Sequence, residues 1–218
     1  MSSPFDWGYA LSLLPALLPA TIMTFSIAIA GYGLSLLVGG IAGFALTSRF
    51  AAVRTVTLGY TEFFRLTPLL VQLYFAYFVL PLIGISLPAV VTGISVLGLH
   101  YGTYVARTVR AGILATPTHQ QEAIIALNLP VMQSTMRIIA PQAIRPMVPA
   151  LGNFLIQLFK EVPLLSTITV YELLSTAQLF AGQNFKYLET YTMVGFIFLA
   201  ISFPSALFFR RLEARRAK

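Results

Sequence analysis

The chain has 218 residues, of which 57% are hydrophobic and 10% charged, with a formal net charge of +7 and a mean hydropathy of +0.82. Soluble domains carry about 25% charged residues, so an aqueous fold cannot hide this much apolar surface, and the composition reads as an all-α integral membrane protein. Cysteine is absent, which excludes disulfides, thiolate-bound zinc and thiol catalysis and leaves the redox compartment undetermined.

The first residues, MSSPFDWGY, lack the basic n-region of a cleavable signal peptide, and the apolar run behind them is long. A spanning helix needs about 20 mostly apolar residues. Five runs qualify, at about 17–46, 58–80, 89–109, 147–170 and 191–209. The first exceeds what a bilayer requires, so part of it is expected to tilt or to lie at the interface. Its glycines, Gly31, Gly33, Gly39, Gly40 and Gly43, predict close helix packing. Gly39 to Gly43 is not a nucleotide loop, because no Lys-Ser or Lys-Thr follows.

In the second run Glu62 and Arg65 lie three apart and share a helix face. Charges inside a span face a partner or a cavity, so this pair reads as an internal ion pair or as a contact to a substrate or gate. The third run holds His100 and Tyr101. A lone histidine there reads first as hydrogen-bonded structure, and its wide separation in sequence from His119 leaves no metal constellation. The polar insert at about 111–145 follows. A short helix is expected from His119 or Gln120, with Glu122 in its first turn, where a carboxylate suits the helix dipole. Asn128-Leu129-Pro130 should stop it, since Asn tolerates the left-handed position after a helix and Pro130 disfavours helix at Leu129. A second helix over 131–140 is expected to break at Pro141. In the fourth run Lys160 and Glu161 stand beside Pro163, with Gln157 one turn earlier. A proline at such depth frees carbonyls and marks irregular helix lining a cavity, so an ammonium and a carboxylate there would suit a zwitterion.

Lysine and arginine set the orientation. Arg49, Arg54, Arg107, Arg110, Arg137, Arg145 and the cluster Arg210, Arg211, Arg215, Arg216, Lys218 fall on one side if the N-terminus is outside and the C-terminus cytoplasmic. Trp7, Tyr9, Tyr187 and Tyr191 then sit at the outer interface, where aromatic rings are favoured. The terminal basic cluster thus reads as a membrane anchor, and no nucleic-acid partner is expected.

The spacing inside the insert carries a resemblance. Glu122-Ala123-Ile124, Asn128, Ile138 and Pro141 resemble the EAA motif of importer-type ABC permeases, which reads Glu-Ala-Ala, three residues, Gly, nine residues, Ile-x-Leu-Pro. Ile124, Asn128 and Ala140 depart from it. The run from Glu62 to Gln72 is similar to the E-x-x-R-G-T-P-L-L-V-Q of the polar amino acid branch (histidine, glutamine, arginine and opine permeases), with Leu66 for Gly. The stretch from Tyr104 to Gly112 follows that branch loosely, and Arg107 replaces an acid. Pro141-Gln142-Ala143-Ile144-Arg145 matches P-Q-A-x-R, and Lys160 to Leu165 resembles K-D-T-S-L with a wording closer to ectoine and hydroxyectoine permeases.

The resemblance implies a type I ABC importer permease fold, one permease domain over 1–218 with about five spans. It also implies a cytoplasmic coupling helix in which Glu122, Ala123, Ala126, Leu127 and Asn128 meet an ATP-binding subunit. It implies a second permease, the same or a related chain, an extracytoplasmic solute-binding protein, a bacterial-type inner membrane and a small zwitterionic substrate. Gln157, Lys160, Glu161, Glu62 and Arg65 are the candidates for substrate or gate. The chain has no G-x-x-x-x-G-K-[ST] loop, so it is expected to be no enzyme and to hold no cofactor, with ATP and Mg on the partner ATPase. Two alternatives stay open: a channel or secondary-transporter subunit not coupled to ATP, and an assembly-only half of a heterodimer.

Overall fold

The computed structural model describes residues 5–214, apart from 116, 118, 120, 121, 123 and 125. Among the described residues three helices are each long and apolar enough to cross a membrane, and two bent helix pairs raise the number to as many as five. Asp6 caps the short α1 (Trp7–Ser12) by accepting the Tyr9 N–H at 3.0 Å. Helix α2 (Leu14–Ala45) follows directly.

The second expected span is two helices. α3 (Ala51–Leu66) and α4 (Leu69–Tyr74) belong to arms bent by 104° across Thr67 and Pro68. Pro68 lacks an N–H, so it cannot continue the ladder, and it holds Thr67 extended at ψ 138°. Beyond α4 the chain passes through a π turn at Phe75–Val79 and a 3₁₀ turn at Leu80–Ile83. Helix α5 (Ala89–Leu114) is unbroken and central, touching α2, α3 and α4.

α6 (Val131–Ser134) runs through a π turn at Thr135–Ile139 into α7 (Ala140–Glu161). Pro141 therefore does not break a helix, as the sequence suggested. It sits in the first turn of α7, where a missing N–H costs little. Helix α5 runs on to Leu114, and the helical segments that lead into α7 resume at Val131. The fourth span does not continue as regular helix to 170. It tightens into a 3₁₀ segment at Val162–Ile168, ends at Thr169 with φ 65°, and bends by 53° into α8 (Leu173–Asn184). Helix α9 (Tyr187–Ala214) closes the fold.

The seam between α2 and α5 explains part of the glycine pattern. A Cβ on Gly39 would lie 2.5 Å from the Gly102 carbonyl oxygen, and one on Gly43 would lie 2.5 Å from Val109 Cβ. Their spacing of four puts both on one face, so the backbones approach closely. Gly33 and Gly40 face open space, contrary to the expectation that all five serve packing.

The main core joins Ile27, Leu73, Leu97, Leu158 and Leu165, drawn from α2, α4, α5, α7 and the 3₁₀ segment. A second cluster joins α1, α2, α8 and α9 through Ala10, Leu17, Leu173, Ala177 and Val194. On α9 Phe196, Leu199 and Phe203 are exposed, which suits a hydrocarbon surround rather than water.

Candidate functional site

Three groups of side chains lie where the sequence placed function. The first is at the insert. Glu122 lies on helical backbone and is exposed, as are Ala126 and Leu127, while Ile124 is half-buried. Ala123 lies outside the described residues. Asn128 adopts φ 48°, and the Leu129 N–H donates to the Ile124 carbonyl at 3.1 Å. That bond spans five residues across a left-handed residue, which is the Schellman closure of a helix. The departure from glycine at 128 thus keeps the turn, because Asn tolerates positive φ better than other side chains.

The second group is on α7. Lys160 and Glu161 point in different directions. Successive residues point about 100° apart on a helix. Lys160 is exposed and, with Ile156, Phe198 and Ser202, lines a groove of about 380 Å³ against α9. It has no ion pair among the described residues. Glu161 turns toward α5 and the Tyr101 hydroxyl. Its Oε2 is buried with no hydrogen-bond partner among the described residues. Gln157 is exposed on the same helix.

The third group lies between α3 and α5. Arg65 donates to Glu62 at 3.0 Å, and Arg107 donates to the other Glu62 oxygen. Arg107 stands where the resembled branch has an acid, and the carboxylate opposite gives that cation a partner. All three side chains keep about a third or more of their surface exposed.

The match to known families decides the class. The family model described as binding-protein-dependent transport system inner membrane component matches residues 35–218. The chain belongs to this family. It is 37% identical over 213 residues to the probable amino-acid ABC transporter permease protein y4tG of Sinorhizobium fredii, covering 98% of this chain and 92% of that protein. It is 32% identical to the glutamine transport system permease protein GlnP of Escherichia coli, covering 97% of each. Among solved structures, one described as an amino acid ABC transporter with histidines superposes with a TM-score of 0.88 at 30% identity, over 96% of this chain and 98% of that one. The MetNI methionine ABC transporter, in inward facing conformations, shares the fold at a TM-score of 0.70 and 19% identity, over 96% of this chain and 98% of that one. The protein is an inner-membrane permease subunit of an ABC importer.

Two polar joints of this permease escaped the sequence reading. At the first, Pro68 leaves the Phe64 carbonyl without its helical donor. Gln72 Nε2 supplies one at 2.7 Å and also lies 3.0 Å from the Thr67 carbonyl. Gln72 Oε1 then faces His100 Nδ1 at 3.2 Å. With the amide nitrogen committed to carbonyls, Oε1 must accept, so His100 carries its proton on Nδ1. His100 is thus hydrogen-bonded structure, as expected. The signal for Gln72 was its position four residues after a proline.

At the second joint Glu172 is wholly buried and caps α8, accepting the N–H groups of Leu174 at 3.0 Å and Ser175 at 2.8 Å. Ser175 Oγ accepts the Glu172 N–H in return, at 2.7 Å. Thr24 of α2 accepts the Leu173 N–H at 3.0 Å and lies 3.4 Å from the carboxylate. This is a capping box with its residue types exchanged, Glu at the cap and Ser three later, so the usual Ser/Thr-x-x-Glu template passes over it.

Proposed function

We propose that this permease moves a polar amino acid or an amino-acid-like compatible solute inward across the membrane, delivered by a solute-binding protein and driven by ATP hydrolysed on separate ATP-binding subunits. The exposed turn at Glu122, Ala126, Leu127 and Asn128 carries the reading. An amphipathic helix that ends in a left-handed turn, with alanine and leucine facing out at the polar end of a membrane bundle, offers a surface for a soluble partner to grip. Ala123 is assigned to the same surface by its place in the motif. The names of the relatives, an amino-acid permease and a glutamine permease, support the substrate class.

In this reading ATP and Mg bind the partner and no cofactor belongs to this chain. The whole chain acts as one permease domain. It pairs with a second permease, the same chain or a related one, and the N-terminus faces outside with the C-terminus cytoplasmic. Lys160 and Gln157, exposed on α7, are assigned to the substrate path. A lone ammonium at this depth does not face hydrocarbon, so its groove opens to water or to the second permease. Glu161, turned to Tyr101, is assigned to the gate rather than to a zwitterion site shared with Lys160. Glu62 and Arg65, tied to Arg107, are assigned to hold α3 against α5 during gating.

The test is Glu122→Arg in the assembled complex reconstituted in vesicles. Membrane insertion should survive, while uptake and binding-protein-stimulated ATPase activity both fall. Normal coupled ATPase in this variant would count against the assignment. Uptake driven by a proton or sodium gradient with no ATPase present would overturn the energy source.

A further inference from the structure

Resting on the transport reading, we infer that Tyr77 and Thr169 form a hydroxyl latch that holds the two broken spans together and must part for the permease to cycle. Three observations converge on this pair. First, their hydroxyls lie 3.0 Å apart across 92 positions of sequence, and neither belongs to a regular helix. Tyr77 is the middle residue of the π turn at Phe75–Val79, and Thr169 closes the 3₁₀ segment at Val162–Ile168. Each belongs to a different bent pair. A π turn and a 3₁₀ stretch inside spans are the usual marks of a hinge rather than of a packing helix.

Second, Thr169 has φ 65°. A β-branched residue at positive φ is strained, and glycine or asparagine would relieve it. The strain persists because the neighbours hold it. The Thr169 N–H donates to the Ser166 carbonyl at 3.2 Å and the Val170 N–H to the Leu165 carbonyl at 3.1 Å. Ile168 and Val170 on either side are fully buried, while Thr169 itself is exposed. The chain thus pins both flanks and presents one hydroxyl at the point of strain. Strained residues of this kind cluster at switch regions.

Third, the pair sits at one end of the bundle. Ile168 and Val170 pack in the cluster that includes Ala89 and Val90, the first residues of α5. The insert with Asn128 follows the opposite end of that helix. A contact at this end, made by one exposed hydrogen bond between hydroxyls, is cheap to exchange for water and cheap to remake. Those are the properties a gate contact needs, and a fully buried apolar contact lacks them.

The absence of cysteine makes the test clean. Tyr77→Cys/Thr169→Cys, in the complex with its ATPase and binding protein, is treated with a short, reducible bis-methanethiosulfonate crosslinker. Crosslinking is expected to abolish stimulated uptake, and reduction to restore it. Uptake that continues at the uncrosslinked rate would overturn the latch. The crosslinking yield gives a separate reading. It should fall when binding protein and a non-hydrolysable ATP analogue are supplied, and an unchanged yield overturns the proposal whatever the uptake. Tyr77→Phe, which keeps the ring, should raise ATPase activity measured without binding protein, whereas Thr169→Ser should leave it unchanged. A parent complex that takes up nothing would fault the transport reading instead, and the crosslinking yields would still decide the latch.

Discussion

The two broken spans solve one problem with opposite chemistry. At the α3–α4 joint a proline removes a donor and leaves carbonyls free, so the repair is a donor, the Gln72 amide. At the joint before α8 a helix begins and leaves N–H groups free, so the repair is an acceptor, the Glu172 carboxylate. The first repair is neutral and local, reaching five and eight residues back, with His100 as its link to α5. The second is made by a carboxyl group, is wholly buried, and reaches α2 through Thr24. A break in a span is tolerated only where its polar groups are satisfied within the protein, and whether the repair donates or accepts follows from which end of the helix is exposed.

If that contrast holds, removing the acceptor should do the greater damage. Glu172→Ala strands the Leu174 N–H and loses the Ser175 bond in a fully buried site. Loss of a helix cap together with a buried unsatisfied donor should cost about 2–4 kcal/mol. The measurement is thermal unfolding of the detergent-solubilised complex, followed by gel-filtration retention. A shift no larger than that of an exposed substitution on α9 would show that the joint does not depend on its cap.

Gln72→Leu should come next, at about 1–3 kcal/mol, because it strands the Phe64 carbonyl and frees His100. Adding His100→Leu to it should cost less than the two single changes summed, since partners in one network are not additive. Full additivity would break the claim that Gln72 acts as a bridge rather than as a local plug.

These joints mark where the sequence ceased to be legible. Hydrophobic length alone located α2, α5 and α9, since a span that is one unbroken helix needs nothing but apolar run. The helix stop at Asn128 was legible because the left-handed turn has a side-chain preference. The bent pairs were not, for hydropathy is blind to direction: 58–80 is apolar throughout whether or not Pro68 turns it by 104°. Pro141 misled for a related reason. A proline is the same letter at the first turn of a helix as at its end, and only the π turn before it reveals which. The separation of Lys160 from Glu161 follows from helical phase, which was available, but which of their two directions met α9 and which met α5 depended on tertiary packing. Glu62 and Arg65 were legible as neighbours three apart. Their third member, Arg107, lies 45 positions away, beyond any local pattern.

A third polar joint, at the surface, supplies the smallest expected effect and a control for the other two. Lys186 reaches Asp6 at 3.2 Å and Glu189 at 3.9 Å, and the Asp6 N–H donates to Glu189 at 3.1 Å. This ties α1 to the start of α9. The Tyr9 N–H, and after it Lys186, hold the Asp6 carboxyl below the usual aspartate value of 3.8. A depressed carboxylate contributes stability that is fully present above that value and is lost as the pH falls through the lower folded one. Asp6→Ala should therefore lower the unfolding temperature slightly at neutral pH. The gap from the parent should close as the pH drops below the ordinary aspartate range, and it should shrink with added salt, because the pair is exposed and screened. The deficit of Gln72→Leu should not shrink with salt in this way, since its bonds to the Phe64 and Thr67 carbonyls are neutral. A gap for Asp6→Ala that closes with falling pH but does not respond to salt would mean the residue acts as a cap alone, and the surface joint would then owe nothing to its ion pair.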